Sequence, residues 1–147
     1  MSIIYLDTSA LIKQYIHEQG SEEVKDLIER AEIIGSNSIT FAEVASAFSR
    51  LVRMNWFTAQ DGQAAWHEFL IDWQSYSRVD VTSRMVEKAG EMAWQHGLRG
   101  YDAIHLSAAV LWQETLGSPL TLATFDRSLW VSAQKSGMLV WPQGLVS

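Results

Sequence analysis

The sequence predicts an α/β fold, a three-layer α/β/α sandwich around a mostly parallel sheet of roughly five strands. Short apolar runs recur along the chain, and longer segments between them carry apolar residues at helical spacing. Strands that alternate with helices pair in parallel through crossovers, which covers both faces of the sheet with helices. No internal repeat, low-complexity tract or linker interrupts the pattern, and only two prolines occur, so residues 1–147 read as a single domain.

Taken in order, Ile3-Ile4-Tyr5-Leu6 reads as a buried strand, followed by a helical stretch through Leu11, Ile12 and Tyr15 to Ile16. Ser21 to Ala31 is a helix whose first-turn Glu22 and Glu23 suit the positive end of its dipole. Glu32-Ile33-Ile34-Gly35 is a brief strand. From Ser38 or Thr40 a helix places Phe41, Val44, Ala45, Phe48, Leu51 and Val52 on one face. Thr58 to Tyr76 is a second long helix with Trp66, Phe69, Leu70 and Trp73 as its stripe. Val79-Asp80-Val81 is a weak strand, and a helix from Thr82 or Ser83 ends around His96-Gly97. Tyr101 to Thr115 is helical, Leu120 to Ala123 a strand, Arg127 to Lys135 a helix, and Met138 to Trp141 the last strand before Pro142.

The chain has no cysteine, which excludes disulfides, thiolate zinc sites and cysteine nucleophiles. The start, MSIIYLDTSALIKQYIHE, lacks a basic region and is broken by Asp7, so it is not a signal peptide. No run approaches the roughly 18 apolar residues of a membrane span. A cytoplasmic protein without membrane contact is the expectation. The net charge of −6 argues against a broad basic face for nucleic acid. Either nucleic acid is avoided, or the negative charge is gathered where metal ions neutralise it.

The placement of the acids bears on that choice. Asp7 and Asp126 each follow a strand and precede a helix, Glu43 falls in the first turn of its helix, and Asp102 starts a helix after the Gly97–Gly100 break. Carboxyl ends of parallel strands share one edge, where ligands bind in open α/β sheets. Four acids there repel one another unless a cation intervenes, and an all-oxygen donor set suits Mg²⁺ or Mn²⁺. Each acid taken alone fits a helix cap as well, and Thr40 with Glu43 has capping-box spacing. Thr8 and Ser9 beside Asp7, and Thr124 beside Asp126, offer capping hydroxyls that leave the carboxylates free.

Tyr5-Leu6-Asp7-Thr8-Ser9-Ala10-Leu11, Tyr101-Asp102-Ala103-Ile104-His105-Leu106 and Leu122-Ala123-Thr124-Phe125-Asp126 resemble the PIN-domain ribonucleases, in particular the VapC toxins of type II toxin–antitoxin pairs. The likeness spans nearly the whole chain and departs at none of the four acidic positions. It implies a PIN-like fold and an endoribonuclease dependent on one or two Mg²⁺ or Mn²⁺ ions, ligated by Asp7, Glu43, Asp102 and Asp126. It further implies that Thr8 and Ser9 position ligands or a phosphate oxygen and that Thr124 bonds a water or carboxylate. RNA as substrate, a homodimer, and a cognate VapB-like antitoxin covering the site complete what the resemblance implies.

Other residues carry weaker signals. His105 shares a helix face with Asp102 and is expected to be a hydrogen-bonded structural histidine, with proton transfer or carboxylate holding as the alternative. Arg99 and Arg127, adjacent to Asp102 and Asp126, are candidates for substrate phosphates; Arg50 and Arg53 read as solvated charge. Most of the seven tryptophans are expected in packing, some in a partner groove. A PIN nuclease for RNA processing without an antitoxin, and a non-catalytic PIN-like binding module, are the alternative functions.

Overall fold

The structure is a computed structural model and describes residues 2–145. Five strands form one sheet: β1 (Ile3–Leu6), β2 (Ile33–Asn37), β3 (Ser77–Val79), β4 (Thr121–Ala123) and β5 (Leu139–Trp141). Their order is β3-β2-β1-β4-β5, and every pairing is parallel. The helices are α1 (Thr8–Leu11), α2 (Ser21–Arg30), α3 (Ile39–Arg53), α4 (Ala59–Trp73), α5 (Ser83–His96), α6 (Gly100–Leu116) and α7 (Arg127–Lys135).

The alternation of side chains along β1 divides the core into two layers. Ile3 and Tyr5 pack with Met85 and Ala89 of α5, Leu106 of α6 and Leu129 of α7. Ile4 and Leu6 pack on the opposite face with Leu11, with Val44 and Phe48 of α3, and with Phe69 and Trp73 of α4. The expected three-layer sandwich is therefore what forms, with β1 buried on both faces. Because β2 and β4 flank β1 on opposite sides, the chain reverses its winding direction there. Such a switch point opens a crevice at the carboxyl ends of the strands.

Four elements differ from the sequence expectation by more than a residue, one of them the helix expected over Thr58 to Tyr76, which ends at Trp73 as α4. β2 continues two residues past Gly35, through Ser36 and Asn37, which pair with Arg78 and Val79. Both are polar yet buried, and they extend the strand because their side chains are bonded inside the sheet edge. β3 lies at Ser77–Val79 rather than 79–81, since its partner strand ends at Asn37 opposite Val79. The first helix stops at Leu11 and tightens into a 3₁₀ turn over Ile12–Gln14, where the Tyr15 N–H donates to the Ile12 carbonyl. Ile12, Tyr15 and Ile16 still pack into the core, so their spacing reported burial correctly but not helix length. α5 ends as expected, with Gly97 at φ +67 supplying the left-handed residue that stops it.

Candidate active site

Asp7 leaves the end of β1 nearly buried, at 3% exposure. Its Oδ1 accepts from the Ala10 N–H at 2.9 Å and so caps α1. Ser9 Oγ donates to the same carboxylate at 2.7 and 2.9 Å, and Thr124 Oγ1 donates to Oδ2 at 2.5 Å. The Thr124 hydroxyl in turn accepts from the Asp126 N–H at 2.9 Å, joining the ends of β1 and β4. Burial pushes the Asp7 carboxyl above its ordinary range, while the hydrogen bonds from Thr124, Ala10 and Ser9 pull against it. Asp126 likewise caps α7, its Oδ1 accepting from the Leu129 N–H at 2.9 Å. Capping and rim placement thus coexist in Asp7 and Asp126.

Glu43 sits in the second turn of α3, not the first, because the helix begins at Ile39. The capping box does not form. Thr40 is buried and its hydroxyl meets Ser36 Oγ at 2.7 Å, while Asn37 Oδ1 caps the helix by accepting from the Ile39 and Thr40 amides. Glu43 Oε1 instead accepts from Thr8 Oγ1 at 2.6 Å and meets His105 Nε2 at 3.0 Å. Burial raises the Glu43 carboxyl, but the bonds from His105 and Thr8 outweigh it and hold the group below its ordinary value.

Asp102 lies in the first turn of α6. Arg99 bridges it to Asp126: Nε donates to Asp102 Oδ2 and Nη2 to Asp126 Oδ2, both at 3.0 Å. Burial and the negative charge of Asp126 push the Asp102 carboxyl up, and Arg99 draws it down. Arg127 does not join this group; its Nη1 donates to the Leu145 carbonyl at 3.1 Å. A groove lined by Lys13, Glu18, Phe125 and Trp141 among others contains none of the four carboxylates.

All-oxygen donors of this charge match a hard divalent cation in kind, and the Asp102–Asp126 pair already holds a cationic group between its oxygens. Among the described residues, no three Asp, Glu or His groups are gathered closely enough to hold one ion together. The donors therefore fit in chemistry, with Arg99 occupying part of their capacity.

Sequence reasoning missed Tyr5 and Asn37, which bond to each other and to His105. The signals were slight: Tyr5 is two residues before Asp7, and Asn37 is a cap-type residue at a strand end.

Residues 4–132 match the family model of the PIN domain. Two proteins from Mycobacterium tuberculosis strains, Ribonuclease VapC45 and Ribonuclease VapC49, are each 31% identical over 149 residues, covering 99% of both chains. Among solved structures, the fold is similar to that of M. tuberculosis VapC20, described as a sarcin-ricin loop cleaving toxin. That match has a TM-score of 0.65 at 16% identity and covers 92% of this chain and 96% of that one. It is also similar to VapBC2 from Rickettsia felis bound to a promoter DNA fragment, with TM-score 0.61, 18% identity, and coverage of 94% and 96%. With a family model spanning most of its length and curated relatives matched end to end, the chain belongs to the PIN-domain family and, within it, to the VapC ribonucleases.

Proposed function

We propose that the chain is a metal-dependent endoribonuclease, the toxin of a toxin–antitoxin pair, with Asp7, Glu43, Asp102 and Asp126 as its catalytic carboxylates. The observation that carries this is the linkage of the four acids at one sheet edge. Thr124 ties Asp7 to Asp126, Arg99 ties Asp126 to Asp102, and His105 and Thr8 hold Glu43 beside them. The names of the full-length relatives supply RNA as the polymer.

The four carboxylates would hold one or two Mg²⁺ or Mn²⁺ ions, which when bound activate water and offset charge developing on the phosphate. The chain's own groups prepare that site. Ser9 and Thr124 fix both oxygens of Asp7, so its orientation costs nothing at the moment of reaction. Glu43 is held through Oε1 alone. Arg99, 78% exposed, is the cationic side chain placed to meet a substrate phosphate at the rim. Arg99 is preferred to Arg127 for that role, because Arg127 donates to the Leu145 carbonyl rather than to a rim carboxylate.

An antitoxin segment and a second copy of the chain are the proposed protein partners. Exposed Trp56, Ile71 and Trp94 offer apolar surface for them. Among the described residues no helix is long and apolar enough to cross a membrane, and the cytoplasm is the proposed location. Tightly controlled expression tests the toxin role. Wild type is expected to arrest growth, and Asp102→Asn to accumulate folded without arrest. Normal growth with folded wild-type protein, or arrest by the variant, contradicts it.

A further inference from the structure

His105 is buried and engaged at both ring nitrogens. The direction of the hydrogen bonds at its Nδ1 follows from one fixed point, while Thr8 Oγ1 lies 3.5 Å from Nε2. At the start of α3, Asn37 Oδ1 lies 2.8 Å from the Ile39 N–H and 3.2 Å from the Thr40 N–H. Backbone amides only donate, so this edge of the side chain is the oxygen and the other is the NH₂. That NH₂ lies 2.8 Å from the Tyr5 hydroxyl and 3.2 Å from His105 Nδ1, and it donates. Tyr5 Oη accepts from Asn37, and its own proton points at His105 Nδ1, 2.9 Å away.

Two donors converge on Nδ1, which leaves it as an acceptor. The ring proton must then sit on Nε2, 3.0 Å from Glu43 Oε1. Thr8 donates to the same oxygen, and Oε2 of Glu43 has no hydrogen bond among the described residues. We propose that Asn37 and Tyr5 are positioning residues that lock His105 as the neutral Nε2–H tautomer, whose proton anchors Glu43 by Oε1 and leaves Oε2 for the reaction. The opposite tautomer would set a nitrogen lone pair against the carboxylate and an N–H against two donors. This rests on the catalytic assignment of Glu43 made above.

The test is the ring-nitrogen NMR spectrum of the metal-free full chain at neutral pH, with His105→Gln identifying the His105 signals among the four histidines. The Nε2–H pattern is expected; an Nδ1–H pattern or an imidazolium overturns the proposal. Asn37→Asp, which replaces the donor by an acceptor, is expected to move His105 out of that tautomer, and an unchanged spectrum in the folded variant contradicts the chain of bonds. Tyr5→Phe is the milder change, removing one hydroxyl. It should shift the Nδ1 signal, and an unmoved signal removes Tyr5 from the chain. In RNA cleavage, His105→Gln keeps a donor to Glu43 and should stay within about 10-fold of wild type. His105→Leu should lose about 10–100-fold in kcat at unchanged KM; equal losses in both variants overturn the positioning role. If Glu43→Gln cleaves as wild type, only the catalytic assignment of Glu43 fails, while the tautomer result stands.

Discussion

At the scale of single residues, Asp7, proposed as a catalytic carboxylate, is held at the expense of stability. Its carboxylate is buried among three donors, yet its pKa is raised, so the folded state binds its proton more tightly than the unfolded chain. Stability contributed by this group is then greatest at low pH and declines as pH rises from the ordinary carboxylate range through the raised value. Asp7→Asn keeps a capping oxygen for Ala10 and removes the buried charge. In EDTA at neutral pH it should melt on the order of a few degrees higher than wild type, with the gap closing as pH falls. A lower melting temperature at neutral pH contradicts this account. Arg99 gives a second prediction, because its guanidinium takes up oxygens of Asp102 and Asp126. Arg99→Gln should tighten Mn²⁺ binding several-fold by calorimetry while raising the KM for RNA. Unchanged or weaker Mn²⁺ binding would show that Arg99 does not compete for those oxygens.

The residues most legible in the sequence were those whose position follows from their own strand. Asp7 and Asp126 each end a strand and start a helix, and both reach the rim. Arg127 shows that neighbouring in sequence is not bonding in space: Asp126 caps the helix, and Arg127 donates to the backbone at Leu145. The bonds of Glu43 to Thr8 and His105 link residues 35 and 62 positions apart, and no local pattern encodes them. The tryptophans divide as sequence could not divide them: Trp73 is buried, Trp66, Trp112, Trp130 and Trp141 are half-buried, and Trp56 and Trp94 are exposed.

At the scale of elements, the long helices and the strands β1, β4 and β5 were legible, whereas the limits of β2 and β3 were not. α3 and α4 have stripes long enough to declare their period and α6 is a long segment buried nearly all round, whereas β3 is three residues whose limits are set by its partner. β2 also contains the tightest packing constraint on the sheet. A Cβ at Gly35 would come within 2.5 Å of Trp112 and 2.9 Å of the Ser77 carbonyl, so the strand passes where only glycine fits. Gly35→Ala should destabilise the protein by about 1–3 kcal/mol in urea unfolding. Because Asn37 lies at the end of the same strand, this variant should also weaken RNA cleavage. A fully stable Gly35→Ala would mean that Trp112 repacks freely.

At the scale of the whole molecule, the topology and the charge have one explanation. Starting the chain in the centre of the sheet and winding outward to both sides places β1 and β4 side by side with their carboxyl ends open. The sequence order of the acids is then converted into one rim, and part of the net charge of −6 is gathered there. An acidic rim repels an acidic polymer, and on the proposed function a divalent cation between them would offset that repulsion. The most direct measurement is cleavage of a structured RNA by the purified chain with Mn²⁺, with EDTA, and with Mn²⁺ for the four single variants Asp7→Asn, Glu43→Gln, Asp102→Asn and Asp126→Asn. Cleavage by wild type with Mn²⁺, its loss in EDTA, and a fall of at least about 100-fold in each folded variant are expected. Cleavage that persists in EDTA, or in variants that lack these carboxylates, contradicts the carboxylate–metal site.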